Sequence, residues 1–173
     1  MTARTQFRLS AIIGDHYPEI EMPPIEELLA KLRAGEVSGE AVIYPPSADF
    51  PRAMIDWHPG HGFVLLCFDS EASRGHFLTS GAVASGPSVP IVLGGQAMEK
   101  WPLELFVPTE LAADALRFFV DTGQRNPDLE CVRIDAFPRE VVWEGRAARR
   151  AWEESEQKLS VMTKGTHRAT LSK

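Results

Sequence analysis

His58-Pro59-Gly60-His61 comes nearest, of all the stretches in this chain, to a set of residues that does chemistry. Imidazole nitrogens bind zinc, and Asp56, Asp69 and His76 lie close enough in sequence to complete a ligand set. The spacing argues the other way. Pro59-Gly60 makes a tight turn that need not aim both rings at one point. It also lacks the helical spacing that puts two histidines on one face in metalloproteases. A polar hairpin tip is the plainer reading. Cys131 is a candidate thiol nucleophile, yet it sits inside an alternating, strand-like run, where a thiol is buried and inert. Gly81-Ala82-Val83-Ala84-Ser85-Gly86 fits neither a phosphate loop nor a nucleophile elbow. Arg146-Ala147-Ala148-Arg149-Arg150 is a basic cluster that can touch RNA. Glu153, Glu154 and Glu156 follow it, so a solvated helix face accounts for it as well.

The remaining candidates are residues that bind rather than react. Trp57 ends a strand-like run, and Trp101 follows Glu99 and Lys100 after Gly94-Gly95. Tryptophan beside acids at a sheet end is the composition of a binding hot spot. A core tryptophan capping the sheet is the alternative. Charge points the same way as the tryptophans. Residues 1–135 carry 10 Lys/Arg against 19 Asp/Glu, a net of −9, and residues 136–173 carry 8 against 5, a net of +3. An acidic body is poorly suited to a phosphate backbone. It suits a basic partner and speeds the encounter, although acidity also simply confers solubility.

The elements that must position these residues can be read in order. Leu9-Ser10-Ala11-Ile12-Ile13 predicts an edge strand or an ordered arm. Pro23 to Gly35 predicts a helix, with proline in its first turn, Gly35 as its stop, and Ile25, Leu28, Leu29 and Leu32 as its buried stripe. From Gly39 the hydrophobic period becomes two. Strands are predicted at Glu40–Tyr44, Ala53–Trp57, Phe63–Phe68, Gly75–Ser80 and Val89–Leu93, the last an edge because Pro90 cannot donate to a ladder. Phe63–Phe68 is almost wholly apolar, which predicts a central strand covered on both faces. Asp69-Ser70-Glu71-Ala72-Ser73 is a hairpin loop. Trp101–Val107 is strand-like. The best-marked helix follows, with Thr109 as its cap, Ala112, Ala115, Leu116, Phe119 and Val120 on its apolar face, and Gly123 at its end. Leu129–Asp135 alternates as a half-buried strand. Phe137–Trp143 reads as a further strand and Arg146–Met162 as a thin-seamed helix, with Thr163–Lys173 a disordered tail. Cys67 and Cys131 read as free thiols of a reducing cytoplasm. No apolar run approaches the roughly 20 residues that span a bilayer. No secretion signal is read near Arg4 and Arg8.

The predicted fold is α+β: an antiparallel sheet of about five to seven strands with two main helices packed on it, plus a C-terminal helix. Residues 1–135 form the domain and residues 136–173 a strand/helix extension.

The order of these features resembles the first-numbered family of immunity proteins in bacterial polymorphic toxin systems, those found beside toxins of the deaminase fold. The residues that carry the resemblance are Gly94-Gly95, Glu99 to Leu105, Val107-Pro108, Leu111 to Phe119, Thr122-Gly123, Arg125, Pro127 and Cys131 to Asp135. It covers about residues 20–135. Asn126 before Pro127 departs from the family's pattern, and residues 136–173 have no counterpart in it.

The resemblance implies an inhibitor with no catalytic residue, no metal and no cofactor. Its partner would be a cognate toxin domain, basic and acting on nucleic acid, met in the cytoplasm. Direct binding to nucleic acid or membrane is not expected. A deaminase toxin needs a groove that accepts nucleic acid, and the inhibitor would occlude it. Trp57, Asp69, Glu71, Glu99 and Trp101 are the candidate partner-binding residues, the acids standing in for phosphates and the aromatics supplying affinity. Two other classes compete. A small metal-dependent hydrolase would use His58, His61 and His76. An adaptor or secretion chaperone would use the basic last helix.

Overall fold

Alternation of apolar and polar residues sets most of the strands, and glycine ends both helices. The computed structural model describes residues 7–13, 16–73, 75–81, 88–93, 97–133 and 136. Its elements are β1 (Arg8–Ile12), β2 (Glu19–Glu21), α1 (Ile25–Ala34), β3 (Ser38–Tyr44), β4 (Arg52–His58), β5 (Gly62–Phe68), β6 (His76–Leu78), β7 (Ser88–Leu93), β8 (Ala97–Pro102), a 3-10 turn (Leu103–Leu105), α2 (Thr109–Thr122) and β9 (Cys131–Arg133). Seven strands form one sheet in the order β2-β1-β3-β4-β5-β6-β9. Every neighbouring pair in it is antiparallel. The α+β class with two helices and a seven-stranded sheet therefore stands.

The chain divides into two compact units. The seven-stranded sheet and both helices belong to the first. The second includes β7 and β8, which pair with each other in their own two-stranded sheet.

The register explains the core. Alternate residues of successive strands share one face: Leu9 and Ala11, Ala41 and Ile43, Ala53 and Ile55, then Phe63, Leu65 and Cys67, then Leu78. On this face lie Leu28, Leu29 and Leu32 of α1 with Ala112, Ala113, Ala115, Leu116 and Phe119 of α2. Phe119 packs on the Phe7 ring, centroid to centroid 5.3 Å. Burying these side chains is the main favourable term in folding, on the order of 2 kcal/mol for each large one. Outside the core, Arg117 of α2 bonds both Glu26 of α1 and its own Asp114. On α1, Glu27 and Lys31 form the one-turn ion pair that their spacing predicts, at 2.6 Å.

Both helix stops behave as read. Gly35 and Gly123 take left-handed φ of 73° and 70°, and the Gly123 N–H donates to the Phe119 carbonyl at 2.7 Å. The start of α2 does not. Thr109 is the first helical residue, Pro108 occupies the cap position, and no side chain caps the helix. A proline directly before the helix has no N–H and a preset φ, so it can enter the helix without a hydroxyl cap.

Two strand readings change. The Leu9–Ile13 run is internal, because β2 pairs outside it and β3 inside it. Trp101–Val107 is not one strand: β8 ends at Pro102, and a 3-10 turn intervenes before Val107. β5 is central and its apolar residues are mostly buried, as read. Phe137–Trp143, the Arg146–Met162 helix and the tail lie outside the described residues.

Candidate functional site

Three connections meet at one end of the sheet: the turn between β3 and β4, the turn between β5 and β6, and the chain leaving α2. Together they line a groove of about 760 Å³ whose walls include Pro45, Pro51, Asp69, Asp121, Arg125 and Asn126.

Each wall is fixed locally. The Ser73 hydroxyl accepts from the N–H groups of Asp69 and Ser70, at 3.0 and 3.3 Å, and so closes the β5–β6 loop. Loop closure of this kind is what short polar side chains do in turns. Asp69 then accepts from Arg125 Nε, 3.3 Å to each carboxylate oxygen. At the end of α2, the Thr122 hydroxyl donates to the Phe118 carbonyl at 2.7 Å and accepts from the Gln124 N–H at 3.1 Å. Asn126 Oδ1 accepts from the Asp128 N–H at 3.0 Å. The groove rim is thus held by hydrogen bonds rather than left loose.

Acidic groups gather along this rim. A helix C-terminus carries about half a negative charge. α2 has no basic residue in its last turn to offset it, and Asp121 adds an exposed carboxylate there. Glu71 is exposed at the β5–β6 loop tip. Arg125 offsets Asp69 only in part, since that pair is solvent-reached and such pairs are worth about 0–1 kcal/mol. Two thiols lie just inside. Burial pushes Cys67 up to about 12, so it stays protonated. Burial also raises Cys131, although Arg125 beside it opposes the shift. Both stay weak nucleophiles.

Trp57 lies at the opposite end of β4, paired with Phe63 and so roughly 20 Å from Asp69 at strand rise. It is half-buried, packs against the core and tilts over the Phe63 ring at 4.7 Å. Trp101 and Glu99 are on β8, in the second unit, and Trp101 is half-buried. The Glu99 side chain falls outside the described part of the chain. Of the five candidates, the structure brings together only Asp69 and Glu71. It adds Asp121, Arg125 and the end of α2, which sequence reading did not single out as site residues. Their signal in the sequence was present but indirect: an acid in the last turn of a helix ended by glycine.

The histidines divide. The Asp56 carboxylate accepts from the Trp57 N–H at 2.8 Å and lies 3.3 Å from His58 Nε2. His58 and His61 both lean on the Phe106 ring, at 5.2 and 5.5 Å. His76 is on β6, opposite Cys67 and Arg133, toward the other end of β5. Among the described residues, no three His, Cys, Asp or Glu side chains gather as a metal ligand set.

Burial lowers His58 below its ordinary value of 6.5, and Asp56 only partly restores it. The folded form therefore binds its proton less readily than the unfolded chain does. Stability contributed by neutral His58 is complete above pH 6.5 and falls as pH drops from there through the folded pKa. His58→Asn should flatten this part of the stability curve, read as the difference in urea midpoint between pH 7.5 and pH 5.5. An unchanged difference would remove His58 from the account.

Across from Asp56, Glu40 is exposed at the start of β3, yet its carboxyl is raised above 4.5, first by partial desolvation against the sheet and then by Asp56. The sign is opposite to that of a paired carboxylate: its contribution worsens as pH rises above 4.5. Glu40→Gln should raise the melting temperature slightly at pH 7 and leave it unchanged at pH 4, as differential scanning fluorimetry would register.

No family model matches the sequence, and neither the curated proteins nor the solved structures contain a match to it.

Proposed function

We propose that this chain is an immunity protein that binds a cognate secreted toxin, a nucleic-acid deaminase, and occludes its substrate groove without catalysing anything. The observation that carries the reading is the acidic rim at one end of the sheet, where Asp69, Asp121 and the C-terminus of α2 line a preformed groove and Glu71 is exposed on the adjoining loop. A protein that acts on nucleic acid presents a basic rim to phosphates. Fixed carboxylates at a negative helix end offer that rim a substitute, and the field around them steers the encounter. The choice of a deaminase-fold toxin rests on the resemblance across residues 20–135. Trp57, Glu99 and Trp101 are proposed as further contacts, with Trp57 offering only the part of its ring that Phe63 leaves uncovered.

The test is co-expression with the C-terminal domain of the neighbouring gene's product. Growth rescue together with a co-purifying complex is the expected result. Continued toxicity with both proteins soluble and no complex would reject the assignment.

A further inference from the structure

On the sheet face turned away from the helices, one row of residues crosses four strands at the end described above. Arg8 pairs with Tyr44, the Ile43–Ala53 pairing brings Tyr44 beside Arg52, and Arg52 pairs with Phe68. The row holds two arginines in different circumstances. Arg8 Nε lies 3.1 Å from a Glu19 carboxylate oxygen, and the Tyr44 hydroxyl bonds the same carboxylate. Among the described residues, Arg52 has no ion-paired carboxylate. Its Cζ lies 4.8 Å from the ring centroids of both Phe50 and Phe68. Those rings meet edge to face, 6.4 Å apart, so the guanidinium sits in a two-ring notch. Its Nε is buried and makes no hydrogen bond; Arg8 Nε makes none either, but it is ion-paired to Glu19.

Stacking on rings fixes the plane of a guanidinium but uses none of its N–H donors. The ordering entropy of the long side chain is already spent on folding, which leaves a rigid donor fork. The geometry points to Arg52 as a preformed receptor for a carboxylate side chain of a protein partner, with Phe50 and Phe68 as its walls. A planar, two-oxygen anion matches a guanidinium fork. The chain itself supplies the precedent on the neighbouring strands, where Arg8 of β1 and Tyr44 of β3 hold Glu19. A carboxylate is favoured over a nucleic-acid phosphate because residues 1–135 carry a net of −9 and repel a polyanion. This extends the binding reading above, with the charge roles exchanged: here the partner brings the acid.

The test uses no partner protein, so it and the toxin reading can fail separately. The Arg52 side-chain N–H resonances are followed by NMR as sodium N-acetylglutamate is added, against sodium chloride at equal ionic strength. A saturable shift of Arg52 with millimolar midpoint is expected, with Arg8 unmoved. Arg52→Lys keeps the charge and loses the fork, so it should weaken the midpoint at least tenfold. Its fold is checked by the unchanged spectrum of the core. Equal, unsaturating drifts in both salts would overturn the proposal. Saturation by inorganic phosphate but not by N-acetylglutamate would also overturn it, in favour of a phosphate receptor.

Discussion

Gly62→Ala should cost this domain about 3 kcal/mol or more, a large share of an ordinary total stability of roughly 5–15 kcal/mol. Gly62 has φ +137°, which L side chains rarely adopt. A methyl group there would lie 2.6 Å from the Val107 carbonyl oxygen, which is backbone and cannot swing aside. The next residue depends on that approach. Phe63 and Val107 exchange two backbone hydrogen bonds, at 2.9 and 2.8 Å. They tie the start of β5 to the segment that feeds α2. Pushing the chains apart adds the loss of those bonds, each worth about 1 kcal/mol, to the backbone strain. Urea unfolding of G62A measures the sum. A loss below about 1 kcal/mol would mean that the bridge is not held as described.

The second large effect falls on binding and leaves the fold intact. Replacing Asp69, Glu71 and Asp121 together by lysine should weaken the complex with a basic toxin domain on the order of 100-fold or more, because charges facing across an interface each couple by about 1.5 kcal/mol or more when close. All three side chains are exposed. Stability should move little, since the Asp69–Arg125 pair is a surface pair. Calorimetric titration gives the first quantity and the melting temperature the second. An unaltered affinity in a folded variant would remove this end of the sheet from the interface.

The glycine stops of α1 and α2, the hairpin at Asp69–Ser73 and the centrality of β5 were all legible, because each depends on a local rule: a left-handed residue, a polar turn, an unbroken apolar run. β2 was not. Glu19-Ile20-Glu21 is too short for periodicity, and it exists because β1 offers it an edge. That same pairing is why Leu9–Ile13 reads as an edge and turns out internal. Thr109 carried a capping signal that Pro108 made unnecessary. Asp69 and Glu71 were visible as loop acids. Their meeting with Asp121 and Arg125 was not visible, because it depends on where α2 ends over the sheet, more than 50 residues later. Arg52 was invisible for a related reason. A strand arginine becomes a rigid donor only once Phe68, from the next strand, supplies the second ring.

The account rests on one claim: that this acidic scaffold acts by occupying the basic cleft of another protein. Calorimetric titration of the intact chain into the neighbouring gene's C-terminal toxin domain, at low and at high salt, tests it most directly. The account predicts a one-to-one complex that is tight at low salt, weakens markedly as salt rises, and contains an inactive toxin. No heat of binding at either salt, or a salt-indifferent complex in which the toxin still works, would contradict it.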